Sequence, residues 1–337
     1  MRCLLIVWQY NGNLIIQFYN GLKKAYQHFN TAEHLSLHKY CNNMLSIDPK
    51  ELPTPKLQGY LQSAVGPRPI AFASTLDKDG TPNLSPFSFF NVFSANPPIL
   101  IFSPSRRVRD NTVKHTLINA ELNREVVINV VNYAIVQQAS LSSTEYADGV
   151  NEFEKAGLTM LPSAIVKPFR VKESPVQFEC RVNDIIALGT GGGAGNLILC
   201  EVLKMHIDEA ILDAGGNIDQ HKIDLVARLG ANWYSRSNMG LFEVEKPLTT
   251  LGIGVDTIPQ FIKDSPVFDG NDLGKLGNIE ALPTEEEINI FVKENFKVKA
   301  VLSADDDDKK HRLAKEYLDN NQVMQAWKVL LAQKEYK

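Results

Sequence analysis

The sequence predicts a mainly β protein, an antiparallel barrel or sandwich followed by a helical tail. Three observations carry this. From residue 63 onward, short β-branched and aromatic runs recur between turn signals, with few long helical patterns among them. Asp77-Lys78-Asp79-Gly80 has hairpin-turn chemistry, because Asp-Gly supplies the positive φ that such turns need. Beyond residue 240 the texture turns helical, with Thr284 and Glu287 spaced as a capping box.

Taken in order, Ile70 to Thr75 reads as the first strand. Asn83 to Ser94 reads as a long second strand bent at Pro86, and Ile99 to Phe102 as an apolar third. Asn111 to Asn123 has helical spacing, with Val113, Leu117 and Leu122 apolar and Asn111 as N-cap. Glu125 to Val131 is a β-branched strand. Ala134 to Ser142 and Asn151 to Ala156 read as short helices. Val176 to Leu188 and Leu197 to Ile207 read as strands joined by a glycine loop.

The chain divides into three regions: 1–43, 44–240 and 241–337. Residues 1–43 are rich in Asn, Gln, Tyr and His and show no evident strand register. They are read either as a segment preceding a functional start near Met44 or as a short helix that packs elsewhere. Asp48 to Gln62, with Pro49, Pro53 and Pro55, reads as an extended lead-in. In the tail, Pro259 to Asn278 is loop-rich, and the acidic run Asp305 to Asp308 precedes one amphipathic helix from His311 to Glu335.

Composition narrows the function. With 44% hydrophobic and 22% charged residues the chain is of ordinary globular type, and its net charge of -4 gives no global attraction to nucleic acid. An anionic ligand therefore needs a local basic cluster. No apolar run reaches the length of a membrane span. Cys3, Cys41, Cys180 and Cys200 show no CxxC pairing, which reads as reduced, buried thiols of a cytoplasmic protein. No metal site is expected: His34 and His38 are spaced i,i+4 but lack a nearby third ligand. The run Gly189-Thr190-Gly191-Gly192-Gly193-Ala194-Gly195 is followed by strand-like Asn196 to Val202, not by the helix a dinucleotide fingerprint needs, so it reads as a hairpin loop.

The chemistry concentrates between residues 66 and 131. Alternation along the second strand puts Asn83, Ser85, Phe87, Phe89 and Asn91 on one face and Leu84, Pro86, Ser88 and Phe90 on the other. Small hydroxyls and an amide among aromatics suit the edge of a flat, polar-rimmed ring. Pro86 cannot donate to a ladder, which suggests a bulge. Arg106, Arg107, Arg109 and Lys114 fall within nine residues, and Lys114-His115-Thr116 opens the following helix. Free N–H groups and the positive helix end suit a phosphate there, with Lys as a point charge, Thr a hydroxyl and Arg a bidentate fork.

The ordered set GPRPIAFASTLDKDGTPNLSPFSFFNVFSANPPILIFSPS, RRVRDNTVKHTLIN, ELNREVVINVV and SSTEYADGVNEFEKAGLT, ending near VARLGANWYSR, resembles the flavin-reductase-like, FMN-binding split-barrel family, including its flavoredoxin type. The resemblance covers roughly residues 45–240. It implies a six-stranded antiparallel Greek-key split β-barrel with peripheral helices and a helical C-terminal extension. It implies FMN, with N5 and O4 of the ring meeting the backbone of Ser85, Phe87 and Ser88. It also implies contacts from Arg68, Thr75, Asn83, Ser103, Arg106, Arg107, Lys114 and Thr116, and no side chain as catalytic acid or base. His115 departs from the usual Lys-Asp-Thr. The activity implied is an NAD(P)H-dependent flavin reductase or related oxidoreductase, a homodimer with its sites near the subunit interface. The alternatives are a flavoredoxin-type carrier serving a redox partner protein without a nicotinamide site, and a flavin-binding interaction protein without turnover. No nucleic-acid or membrane partner is expected.

Overall fold

A computed structural model of the chain describes residues 4–10, 13–20, 23–29, 44–244, 246–247, 251–304 and 306–333. The first three stretches are strands: β1 (Leu4–Tyr10), β2 (Asn13–Asn20) and β3 (Lys23–Phe29), an antiparallel sheet in the order β1-β2-β3. This corrects the reading of residues 1–43 as lacking register. Tyr10 pairs with Asn13 and Asn20 with Lys23, and the sequence between the first pair is Asn11-Gly12, the strongest short hairpin signal, while Gly21-Leu22 stand between the second. His34, His38, Cys3 and Cys41 lie outside the described residues.

The proline-rich lead-in is also corrected. After a turn at Pro49–Glu51 it forms helix α1 (Thr54–Ala64). Pro55 sits in its first turn, where no intrahelical partner for an N–H is lost.

Next come β4 (Ala71–Leu76), β5 (Pro82–Phe87), β6 (Phe90–Ala95), β7 (Pro98–Phe102), α2 (His115–Asn123) and β8 (Glu125–Val130). They are followed by α3 (Val136–Leu141), α4 (Glu152–Ala156), the short pair β9 (Met160–Leu161) and β10 (Arg170–Val171), and the long hairpin β11 (Val176–Ala187) and β12 (Asn196–Ile207). A small hairpin, β13 (Val226–Arg228) with β14 (Tyr234–Arg236), completes the unit. The main sheet is antiparallel with order β5-β4-β8-β11-β12-β7-β6.

That order explains the barrel. β5 and β6 are the two edges of the sheet, yet only Ser88 and Phe89 join them. Two residues reach about 7 Å, so the edges must meet and the sheet must curl. No ladder links β5 to β6, so the seam stays open, and the result is the expected split barrel. The count is seven strands because the predicted second strand is two: it breaks at Ser88-Phe89, not at Pro86. Pro86 lies on edge strand β5, opposite Phe72, where its missing N–H is tolerated.

Inside the barrel Phe87, Phe102, Val126, Ile128, Ile198 and Cys200 form the core, and α2 plugs one side with Leu117 and Ala120. Cys180 and Cys200 are free and buried there, and burial pushes both thiols up. A second layer puts Phe72 and Leu84 against Ile135, Ala139 and Phe153 of the α3–α4 region. α2 begins at His115, four residues later than predicted. Lys114 is its N-cap, and Asn111, with φ 59°, stays in the loop.

The glycine run is the β11–β12 loop, as read from the sequence. It doubles onto the basic loop, with Gly193 N donating to Arg106 O at 2.9 Å and Arg106 N to Ala194 O at 2.8 Å. A Cβ on Gly192 would lie 2.9 Å from the Val108 carbonyl oxygen, so this approach of backbone to backbone requires glycine.

The chain forms two units, Met1–Leu241 and Phe242–Lys337. The second is helical, with α5 (Gly270–Gly277), α6 (Glu285–Glu294), α7 (Phe296–Ser303), α8 (Asp307–Asp319) and α9 (Val323–Leu331). The Thr284–Glu287 capping box is present. The single predicted helix from His311 is two helices, broken at Asn320-Asn321, where Asn321 takes φ 55°. Asp306 caps α8, so this part of the acidic run closes a helix end. Fully buried Trp327 anchors the core and donates its Nε1 proton to Leu276 O at 3.0 Å. Among the described residues no helix is long and apolar enough to cross a membrane.

Candidate functional site

Two concavities flank the β5–β6 junction. A polar pocket is lined by Asn83 and Ser85 of β5, by Lys114, His115 and Thr116 at the start of α2, and by Arg107, Glu145 and Glu152. Its remaining free volume is about 20 Å³. A groove of about 460 Å³ is lined by Arg68, Ser88, Phe89, Phe90, Ile101 and Ser103, among others. Ser85 faces the first and Ser88 the second, three residues or about 10 Å of extended chain apart.

The helix start provides the cations. Lys114 is half-buried, and among the described residues its ammonium has no hydrogen-bond or ion-pair partner. Burial lowers its pKa, the nearby Arg107 lowers it further, and Glu145 and Glu152 work the other way. Arg107 is braced: its Nη1 donates to Thr112 Oγ1 and Val113 O, both at 2.8 Å. Its Nε donates to Glu145 Oε1 at 3.1 Å. Arg106 turns away into its own loop, donating to Asn111 Oδ1 at 2.7 Å and Asn111 O at 2.8 Å, and lines neither concavity.

Thr75, Asn83 and Thr116 form one buried polar network. Thr116 Oγ1 donates to Asn83 Oδ1 at 2.8 Å, Asn83 Nδ2 donates to Glu152 Oε1 at 3.0 Å, and Asn119 Nδ2 donates to Thr75 Oγ1 at 3.1 Å. Glu152 Oε2 also accepts from Leu84 N at 3.0 Å. The Thr116 proton is thus committed to Asn83, and only the oxygen's lone pairs face outward. Burial raises the Glu152 pKa, against the pull of the Leu84 and Asn83 donors.

The groove is built differently. Arg68 is buried, and it closes the C-terminal end of α1. Its Nη1 donates to the Gln62 and Val65 carbonyls, its Nη2 to Leu229 O at 3.0 Å, and its Nε to Ser88 Oγ at 3.4 Å. The guanidinium also lies 5.9 Å from the Phe89 ring centre. Ser103 is buried and accepts from Asn196 N at 3.0 Å. Phe87 packs into the core, 5.3 Å from Phe102, and lines neither concavity. Glu145, Glu152 and Asn119 were not singled out in the sequence. Glu152 follows an N-cap asparagine and looks like ordinary dipole-matched surface there.

Residues 65–222 match the model of the flavin reductase like domain. An uncharacterized protein of Aquifex aeolicus is 39% identical over 173 residues, which are 51% of this chain and 86% of that protein. The chain belongs to the flavin-reductase-like family. Nitrilotriacetate monooxygenase component B from Bacillus cereus is similar at 28% identity and TM-score 0.56, covering 61% of this chain and 99% of that one. A split-barrel flavin reductase from Shewanella frigidimarina is similar at 25% identity and TM-score 0.51, covering 60% of this chain and 100% of its own. Family membership makes the flavin-reductase-like unit a flavin-binding oxidoreductase of reductase type. Phe89 and Phe90 give the groove an aromatic wall, with Ser88 at its edge.

Proposed function

We propose that the flavin-reductase-like unit binds FMN and reduces it at the expense of NAD(P)H, as a cytoplasmic homodimer. The observation that carries the FMN assignment is the half-buried ammonium of Lys114, unpartnered among the described residues, beside Arg107 at the start of α2. A cation desolvated without a partner costs free energy, and an arriving dianion offsets that cost. The phosphate therefore belongs with Lys114, Arg107 and Ser85, while the Thr116 hydroxyl, its proton given to Asn83, shapes the pocket floor and has none to offer a phosphate. The ring belongs in the groove with Ser88, Phe89 and Ser103, beside the Arg68 charge. The backbone between Ser85 and Ser88 runs along the link between them.

The bound flavin supplies hydride and electron chemistry; the chain holds it, orients it and excludes water. Phe89 and Phe90 would line the ring, and Arg68, over the Phe89 ring, would set a fixed positive charge near it. Val92 and Phe93, each 64% exposed next to the groove, support the homodimer, since apolar surface of this kind is normally covered.

Stopped-flow bleaching tests the nicotinamide assignment. NADH or NADPH is expected to reduce bound flavin at about 1 s⁻¹ or faster, the range of ordinary enzymes. Slow bleaching with both, together with rapid reduction by a protein donor, would assign the chain to the carrier class.

A further inference from the structure

The segment from Ser142 to Tyr146, between α3 and α4, lies over the cationic side of the polar pocket. Glu145 sits on it with both carboxylate oxygens engaged. One accepts from Arg107 Nε at 3.1 Å, the other from Arg109 Nη2. Two of the three arginines of the basic loop thus meet one internal carboxylate. The remaining space of about 20 Å³ holds roughly one water. A tetrahedral phosphate does not fit beside Glu145 as it stands.

We propose that Glu145 is a displaceable internal counter-ion: a phosphate-bearing ligand takes Arg107, which lines the pocket, from it, and leaves Glu145 with Arg109. This inference rests on the reading that the flavin phosphate enters this pocket. The exchange is physically easy. The side chain of Glu145 is 38% exposed and that of Arg107 18%, so water reaches the pair from the carboxylate side and screens it. A phosphate dianion makes stronger contacts with the same guanidinium fork. Displacing Glu145 lowers the net gain on binding, so the carboxylate keeps affinity for phosphorylated flavin below what a bare Arg107 would give. The functional consequence is a flavin that leaves as well as enters, as a reductase handing reduced flavin to solution requires.

The test uses the full chain with Glu145→Gln and Glu145→Ala, titrated with FMN and with riboflavin by flavin fluorescence. Both variants are expected to bind FMN about three- to tenfold more tightly and release it more slowly, with riboflavin affinity unchanged. Unchanged or weaker FMN binding in both variants overturns the proposal, because Glu145 then serves to hold the arginines in place. If the native chain prefers FMN to riboflavin but neither variant gains, the counter-ion role falls and the phosphate site stands. If the native chain shows no preference for FMN, both fall. Thermal melting of the two variants confirms that the comparison is between folded proteins.

Discussion

Replacing Lys114 and Arg107 together by alanine is expected to weaken FMN binding by about 3 kcal/mol, roughly a hundredfold, and to leave riboflavin binding nearly unchanged. Each side chain brings a charged donor to the pocket, and contacts of charged donors with phosphate are the strong class of hydrogen bond. The riboflavin control matters because Arg107 also braces its loop through Thr112 and Val113. A loop that merely loosens lowers affinity for both flavins; a lost phosphate contact lowers only one. Lys114 by itself has a second signature. Burial depresses the Lys114 pKa, so at neutral pH the native chain carries the full cost of that buried charge. The cost is relieved only as pH climbs from the lowered value to the ordinary lysine range. Lys114→Met is therefore expected to raise the melting temperature of the ligand-free protein while weakening FMN binding, and a scanning melt with and without FMN reads both.

Glu152→Ala is expected to destabilise the barrel unit by about 2–4 kcal/mol, read by urea unfolding followed through barrel fluorescence. The Glu152 carboxylate is the acceptor for Asn83 Nδ2 and for Leu84 N, both buried, and the variant leaves both donors without a partner. Asn83 in turn holds Thr116, so the disturbance reaches the start of α2 and the pocket floor. Glu152→Gln keeps the shape but presents one acceptor and one donor to two donors, so it is expected to fall between Ala and the native chain. The pH dependence runs in a definite direction. Burial raises the Glu152 pKa, so the folded state holds its proton longer than the unfolded chain. The proton-linked part of its contribution is present below the ordinary glutamate range and is lost as pH rises through the raised value, while the hydrogen bonds from Asn83 and Leu84 remain. Glu152→Ala removes that slope, and unfolding curves at several pH values between mildly acidic and neutral detect its loss.

Much of the fold was legible because local chemistry and tertiary role agreed. The apolar runs of β4 and β7 and the β-branched run of β8 are interior strands of the sheet, the Asp77–Gly80 turn joins β4 to β5 with Gly80 at φ 86°, and the Thr284 capping box starts α6. The β5–β6 break was not legible. Aromatic and small polar residues continue through Ser88 and Phe89 without punctuation, and only closure of the sheet forces the chain to change edges there. The N-terminal strands carried an Asn11-Gly12 signal and a Gly21-Leu22 pair that an Asn- and Gln-rich composition obscured. The break between α8 and α9 has no glycine or proline to mark it, only Asn320-Asn321.

At the site, the residue types were readable and their pairing was not. Alternation put Asn83 and Ser85 on one face, and they do share the polar pocket. It also put Phe87 there, but the barrel interior claims that ring. Arg106 and Arg107 are neighbours of identical type, and only the loop's path decides that one binds Asn111 while the other reaches the pocket. Arg68 stood out because prolines flank it, and its donors are shared between the end of α1, Leu229 O and Ser88 Oγ. Glu145 and Glu152 resemble surface carboxylates in sequence, and contacts from distant segments give them their roles.

The most direct measurement of the central claim is a crystal structure of the chain with FMN bound. The account predicts phosphate oxygens within about 3 Å of Lys114 Nζ and of an Arg107 nitrogen, and the ring in the groove beside Ser88 and Phe89. A phosphate in solvent with Lys114 untouched, or a ring bound away from that groove, would contradict it.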